Sequence, residues 1–181
     1  MRHGTLRPSL IRVFSGVLLF GPVFATLLLM PGLARAFKQA DLERVKALYH
    51  CPGCDLSDAD LTGVNLAYAN LSGANLSGAN LAGVQLSQSN LTGADLSGAD
   101  LTGAKLYMAL LSGANFTNAR LTEARLYNAV LGKANLSGAD LSGALWIDGK
   151  KCGLGSVGKC VPEKKNEDGS PPSSPKMQQG R

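Results

Sequence analysis

An all-β solenoid is the fold class this sequence predicts, on three observations: a large apolar residue at every fifth position, a small residue two positions before it, and frequent glycine closing the five. The large residue is leucine from Leu56 to Leu141, replaced once by Phe116, and Trp146 ends the series, so residues 54–148 hold nineteen units in one register. The small residue is nearly always alanine, as at Ala59, Ala69, Ala74 and Ala79, with Cys54, Val64, Val84 and Ser89 as variants. Ten of the nineteen units end in glycine, as Leu96-Ser97-Gly98 does.

Period five fits neither regular structure. On an α-helix each step of five turns a residue by about 140° net, which spreads the leucines round every side. On a flat strand an odd spacing puts successive leucines on opposite faces. The backbone must therefore turn once per unit. If each unit is a short extended piece and a corner, the alanine and the leucine two residues later share one side, and glycine gives the corner its freedom.

The runs A-N-L-S-G-A-N-L-S-G-A-N-L from Ala69 and A-D-L-S-G-A-D-L-T-G-A from Ala94 resemble those of the pentapeptide-repeat family, and the resemblance covers residues 54–148. It implies a right-handed quadrilateral β-helix with four units per coil, leucine and alanine inside, and coils joined by main-chain hydrogen bonds. Nineteen units would then make about 4.75 coils, a body about 23 Å long at the spacing of neighbouring strands. The C-P-G-C-D-L entry at Cys51 and the W-I-D-G-K-K-C stretch at Trp146 also resemble the usual boundaries of exported members, extending the likeness to residues 37–160.

Open solenoid ends expose unpaired backbone, so both flanks are read as caps. Residues 38–50 place Leu42, Val45, Leu48 and Tyr49 on one helical face and predict a short amphipathic capping helix, within an N-terminal section of residues 37–53 that includes the Cys-Pro-Gly-Cys entry. Trp146, the largest inward residue, suits the last coil. Residues 149–160 form a loop that Cys152 and Cys160 would close by a disulfide, worth about 2–3 kcal/mol. Cys51 and Cys54 admit three readings: a structural disulfide locking cap to coil, a thiol redox pair, or half of a zinc site. A zinc site using all four cysteines would need the two ends to meet. Residues 161–181, charged and rich in proline and serine, read as a disordered tail.

The N-terminus reads as an address. Arg2, Arg7 and Arg12 precede an apolar run over residues 13–29, which Pro31 and Gly32 break before Ala34-Arg35-Ala36. This is the layout of a secretory signal over residues 1–36, cleaved between Ala36 and Phe37. The competing reading is an uncleaved membrane anchor. Export implies a periplasm, an equivalent lumen or the exterior, where disulfides persist. Without residues 1–36 the formal net charge of +5 falls to +1, with 14 basic and 13 acidic residues.

Chemistry is scarce. The two histidines, His3 and His50, lie outside the repeat, so no Ser-His or Cys-His constellation forms in the body. Asp55, Asp60, Asp95, Asp100 and Asp140 share the outward slot before leucine with Asn, Gln, Lys and Arg, and read as a solvated face. No cofactor, metal or small-molecule substrate is expected.

One departure from the pattern stands out. Sorting units by fours puts Leu66, Leu86, Leu106, Leu126 and Trp146 on one wall, where the outward residues become Lys105, Tyr107 and Met108, then Arg125, Tyr127 and Asn128, with Tyr68 near the start. The next wall adds Leu110 and Val130. These residues read either as a seat for the tail or the 152–160 loop and a stack steadying neighbouring coils, or as a surface for an unidentified protein partner or a second copy. The expectation is a non-enzymatic exported scaffold that binds protein, not nucleic acid, through the C-terminal half of the repeat. The alternatives are a DNA-shaped, topoisomerase-interacting protein of the resembled family, and a thiol-disulfide role for Cys51 and Cys54.

Overall fold

The computed structural model describes residues 31–163. The signal expected at residues 1–36 lies outside them apart from its end, and so does most of the expected tail. One helix, α1, spans Pro31–Leu48. No helix among the described residues is long and apolar enough to cross a membrane.

After α1 the chain winds. Every parallel bridge, from His50↔Asn70 to Arg125↔Leu145, joins residues twenty positions apart. Twenty residues are four units of five, so each unit forms one wall. The first wall buries Leu56, Leu76, Leu96 and Phe116, and the second Leu61, Leu81, Leu101, Leu121 and Leu141. The third buries Leu66, Leu86, Leu106 and Leu126, with Trp146 partly buried against the core. The fourth buries Cys51, Leu71, Leu91 and Leu111.

Local chemistry explains the repeat. From Leu56 to Leu126 the N–H of each inward leucine or phenylalanine donates to the outward residue of the next coil, as Leu56 does to the Asn75 carbonyl at 2.7 Å, and Asn75 N–H returns to the Cys54 carbonyl at 2.9 Å. Each corner is a turn closed by the next small residue, as when Ala99 N–H donates to the Leu96 carbonyl at 3.1 Å, with Gly98 between them at φ +65°. Glycine adopts that left-handed backbone without a Cβ penalty.

The outward Asp and Asn residues do more than the solvated face expected of them. Asp95 Oδ1 accepts the N–H of Ser97 at 3.0 Å, and Asp100 Oδ1 accepts both the N–H and the hydroxyl of Thr102, at 3.0 and 2.6 Å. The side chain thus fixes the turn that follows it, which is why short polar residues recur in this slot.

The ends are closed differently. On α1, Val45 is buried and Leu42 partly so, but Leu48 and Tyr49 are exposed, contrary to the four-residue face expected. The reason is that the helix stops at Leu48 and Tyr49 takes φ 51°, which swings the chain into the coil. Coil register therefore starts earlier than Cys54: His50 pairs with Asn70, and Cys51 fills the inward leucine slot. Asp41 of α1 accepts the N–H of Asp55 at 3.0 Å, standing in for the missing coil below. At the other end the chain reverses, and Leu145↔Lys151 and Asp140↔Val157 are antiparallel bridges over the second and third walls.

The slot aspartates make stability depend on acidity. Asp60, Asp100 and Asp140 are held below the ordinary carboxyl value near 3.8 chiefly by the hydroxyls of Thr62, Thr102 and Ser142, and Asp95 chiefly by the N–H of Ser97. Depressed folded values mean stability fully present above pH 3.8 and lost as the pH falls through the folded values. Thermal melts should accordingly show a flat midpoint from pH 7 to about pH 5 and a fall below about pH 4, lessened in Asp100→Asn, which keeps the turn bond without the charge. A midpoint unchanged down to pH 2 would sink this account.

Candidate interaction face

The residues singled out on the third and fourth walls are brought together by the twenty-residue register. Lys105 bridges Arg125, and Leu110 bridges Val130. Between these rows the rings of Tyr107 and Tyr127 stack with centroids 5.7 Å apart at 32°. Met108, Leu110 and Val130 are 44, 45 and 48% exposed, and both tyrosines about 40%. Tyr68, two coils away, is joined to the group through Gln88, whose Nε2 donates to its hydroxyl at 3.3 Å.

Among the described residues the C-terminal segment does not cover this face. Its bridges lie over the last coil of the second and third walls, and Gly149 lies beside the Tyr127 ring, where a Cβ would come 3.3 Å from Cε2.

Two features set the face apart, and sequence reasoning missed the first. The first is the corner column that ends each third-wall unit. The other three columns hold glycine at most levels, but this one reads Tyr68, Gln88, Met108 and Asn128, at φ 64°, 59°, 55° and 58°. A side chain in that conformation costs about 1–2 kcal/mol, so four coils in succession bear a strain that glycine would relieve. The second is the outward slot. Gln85, Lys105, Arg125 and Leu145 on the third wall and Leu110 and Val130 on the fourth replace the Asp or Asn whose side chain would brace the turn, against Arg120 alone on the other two walls. The column without glycine is present in the same alignment by twenty that shows the altered slots.

Charge is partitioned by wall. Asp55, Asp58, Asp60, Asp95, Asp100, Glu123 and Asp140 all lie on the first two walls, against one base, Arg120. On the other two, Lys105, Arg125 and Lys133 face a single acid, Asp148, in the last coil.

The cysteines are paired in the structure, Cys51 with Cys54 at a Cα separation of 5.4 Å and Cys152 with Cys160 at 5.1 Å. Cys51 and Cys54 are buried, and Arg44 Nη1 lies 3.7 Å from Cys54 Sγ. Asp41, Cys51 and Cys54 lie close together, but with the sulfurs joined this trio offers a metal only its carboxylate. Burial removes the accessible sulfur that thiol exchange attacks. The only histidine among the described residues is exposed His50.

Coils of four five-residue units, leucine inside and turns braced by Asp or Asn, define a β-helix of the pentapeptide-repeat class. The comparison with family models agrees: the pentapeptide-repeats model matches in eight copies over residues 54–93, 69–107, 79–118 and 109–145, and the chain belongs to that family, whose β-helix is right-handed. Among solved structures, a pentapeptide repeat protein from the Arabidopsis thaliana thylakoid lumen is 31% identical over 62% of this chain and 84% of its own, with a TM-score of 0.54. HetL, a pentapeptide repeat protein involved in heterocyst differentiation regulation from the cyanobacterium Nostoc sp. strain PCC 7120, is 33% identical over 56% of this chain and 59% of its own, with a TM-score of 0.37. No curated protein matches this chain.

The strained corner gives a direct test. Met108→Gly should raise stability by about 1 kcal/mol in chemical denaturation, because glycine meets no penalty at φ 55°. A loss of stability would mean that the Met108 side chain is held for its packing.

Proposed function

We propose that this protein is an exported, non-enzymatic scaffold of a periplasm or equivalent lumen that binds a protein partner through the face centred on Tyr107 and Tyr127. The observation that carries the reading is the double concession made there: one corner column without glycine over four successive coils, and six of the seven slots in residues 54–148 that lack a turn brace, on the walls that display exposed tyrosine, methionine, leucine and valine. Strain retained over successive coils points to side chains kept for what they meet outside.

In this reading residues 1–36 are the signal, 37–53 the N-terminal cap and cysteine entry, 54–148 the solenoid, 149–160 the loop cap and 161–181 the tail. Cleavage between Ala36 and Phe37 would shorten α1, yet the described contacts of that helix with the coil begin at Lys38, which pairs with Asp55 and Asp58. The lumenal origin of the Arabidopsis relative supports export, and export supports the oxidised state of both cysteine pairs. A topoisomerase-directed role in the cytoplasm would need the acidic first and second walls, and the export reading counts against it.

Two measurements test the proposal. Mass spectrometry of the mature chain should find Phe37 first and both cysteine pairs oxidised; an intact Met1 in the cytosol would overturn export. In affinity capture from the exporting cell's envelope, the variant Tyr107→Ser/Tyr127→Ser/Leu110→Asn should keep its melting point to within the shift of about 0.5 kcal/mol expected of surface changes and lose its partner. Survival of every captured partner would sink the assignment of this face.

A further inference from the structure

Among the described residues the stacked cations of the face lack a counter-charge. Lys105 and Arg125 are bridge partners on neighbouring coils, both exposed, and like charges directly opposite one another are destabilising. Among the described residues neither reaches a carboxylate within 4.0 Å, whereas Arg120, one wall away, reaches Asp100 at 3.6 Å. The repulsion is not relieved nearby. Residues 64–73, 84–93, 104–113 and 124–133 contain no Asp or Glu, so these two walls are free of acid through four coils. The next acid, Asp148, is paired with Lys150 at 3.2 Å. Beside the cations run two apolar rows, Tyr107 over Tyr127 and Leu110 over Val130.

We infer that the occupant of this face is an acidic protein segment with apolar side chains beside its carboxylates: a carboxylate seated between Lys105 and Arg125, and apolar groups lying on the tyrosine and Leu110–Val130 rows. The inference rests on the proposed protein-binding face and adds the chemistry of what it holds. A carboxylate there removes the repulsion between the cations, and the apolar rows exclude water, which strengthens the attraction. A nucleic acid fits less well. Its affinity comes from many phosphate contacts, and these walls offer only Lys105, Arg125 and Lys133, with aliphatic rows that phosphates do not match.

The test uses the mature protein, immobilised, and a displayed library of random peptides. Enriched peptides should carry an excess of Asp and Glu beside apolar residues. Lys105→Glu/Arg125→Glu should weaken them roughly tenfold or more, and changing their acids to Lys should restore binding to that variant. Peptides that are lost in Tyr107→Ser/Tyr127→Ser but indifferent to the charge reversal would overturn the acidic occupant and leave the face standing. Indifference to both variants, or no enrichment, would overturn both. A DNA oligonucleotide that displaces the peptides and binds more tightly would put nucleic acid in their place, and charge-dependent self-association in sedimentation would put a second copy there.

Discussion

Main-chain hydrogen bonds tie each extended piece to the piece twenty residues on, and no other part of the molecule can be understood without that constraint. The coil carries no long strand; each wall contributes one bridged position and one turn, so no wall is stable alone. Stability comes from repetition. Each buried leucine adds roughly 1.5–3 kcal/mol when its neighbours stack above and below it, and each coil presents its neighbour with the donors and acceptors that the neighbour lacks.

Such a stack has to begin and end. At the start, α1 offers what a coil would have offered: the carboxylate of Asp41 takes the Asp55 N–H, and Val45 covers the first apolar layer. At the finish the chain folds back in the antiparallel sense, and Leu141 N–H finds the Ser156 carbonyl at 2.8 Å in place of a next coil. Leu131 and Leu136, on the two walls away from those bridges, are less buried than their counterparts one coil earlier. The two ends thus solve one problem by different chemistry, a side-chain acceptor at one and a reversed strand at the other.

Much of this was legible in the sequence because it depends on spacing. The inward leucines, the small residue beside them and the gathering of Lys105, Tyr107, Arg125 and Tyr127 follow from counting by five and by twenty. What escaped depends on the identity of a residue in a slot. Cys51 fills a leucine position, but Tyr49-His50-Cys51-Pro52-Gly53 shares little else with its neighbours, so the first unit reads as the end of the capping helix and the cysteine entry. The Asp and Asn residues looked like solvated surface, since their bond to the N–H two residues on is a matter of backbone geometry. Leu48 and Tyr49 matched a helical face, yet that helix ends before it can bury them.

The twenty-residue register also gives every side chain an angular address as well as a sequence number. Tyr68, Gln88, Met108 and Asn128 share one edge only because no residue is gained or lost between them. Inserting a single unit of five after Gln88 would preserve the core and the hydrogen-bond ladder, yet turn everything beyond it by a quarter of a revolution, carrying the tyrosine pair away from Tyr68. Inserting four units would lengthen the column and leave its heading unchanged. In such a molecule the length of the chain between two side chains, divided by twenty, decides whether they can belong to the same surface.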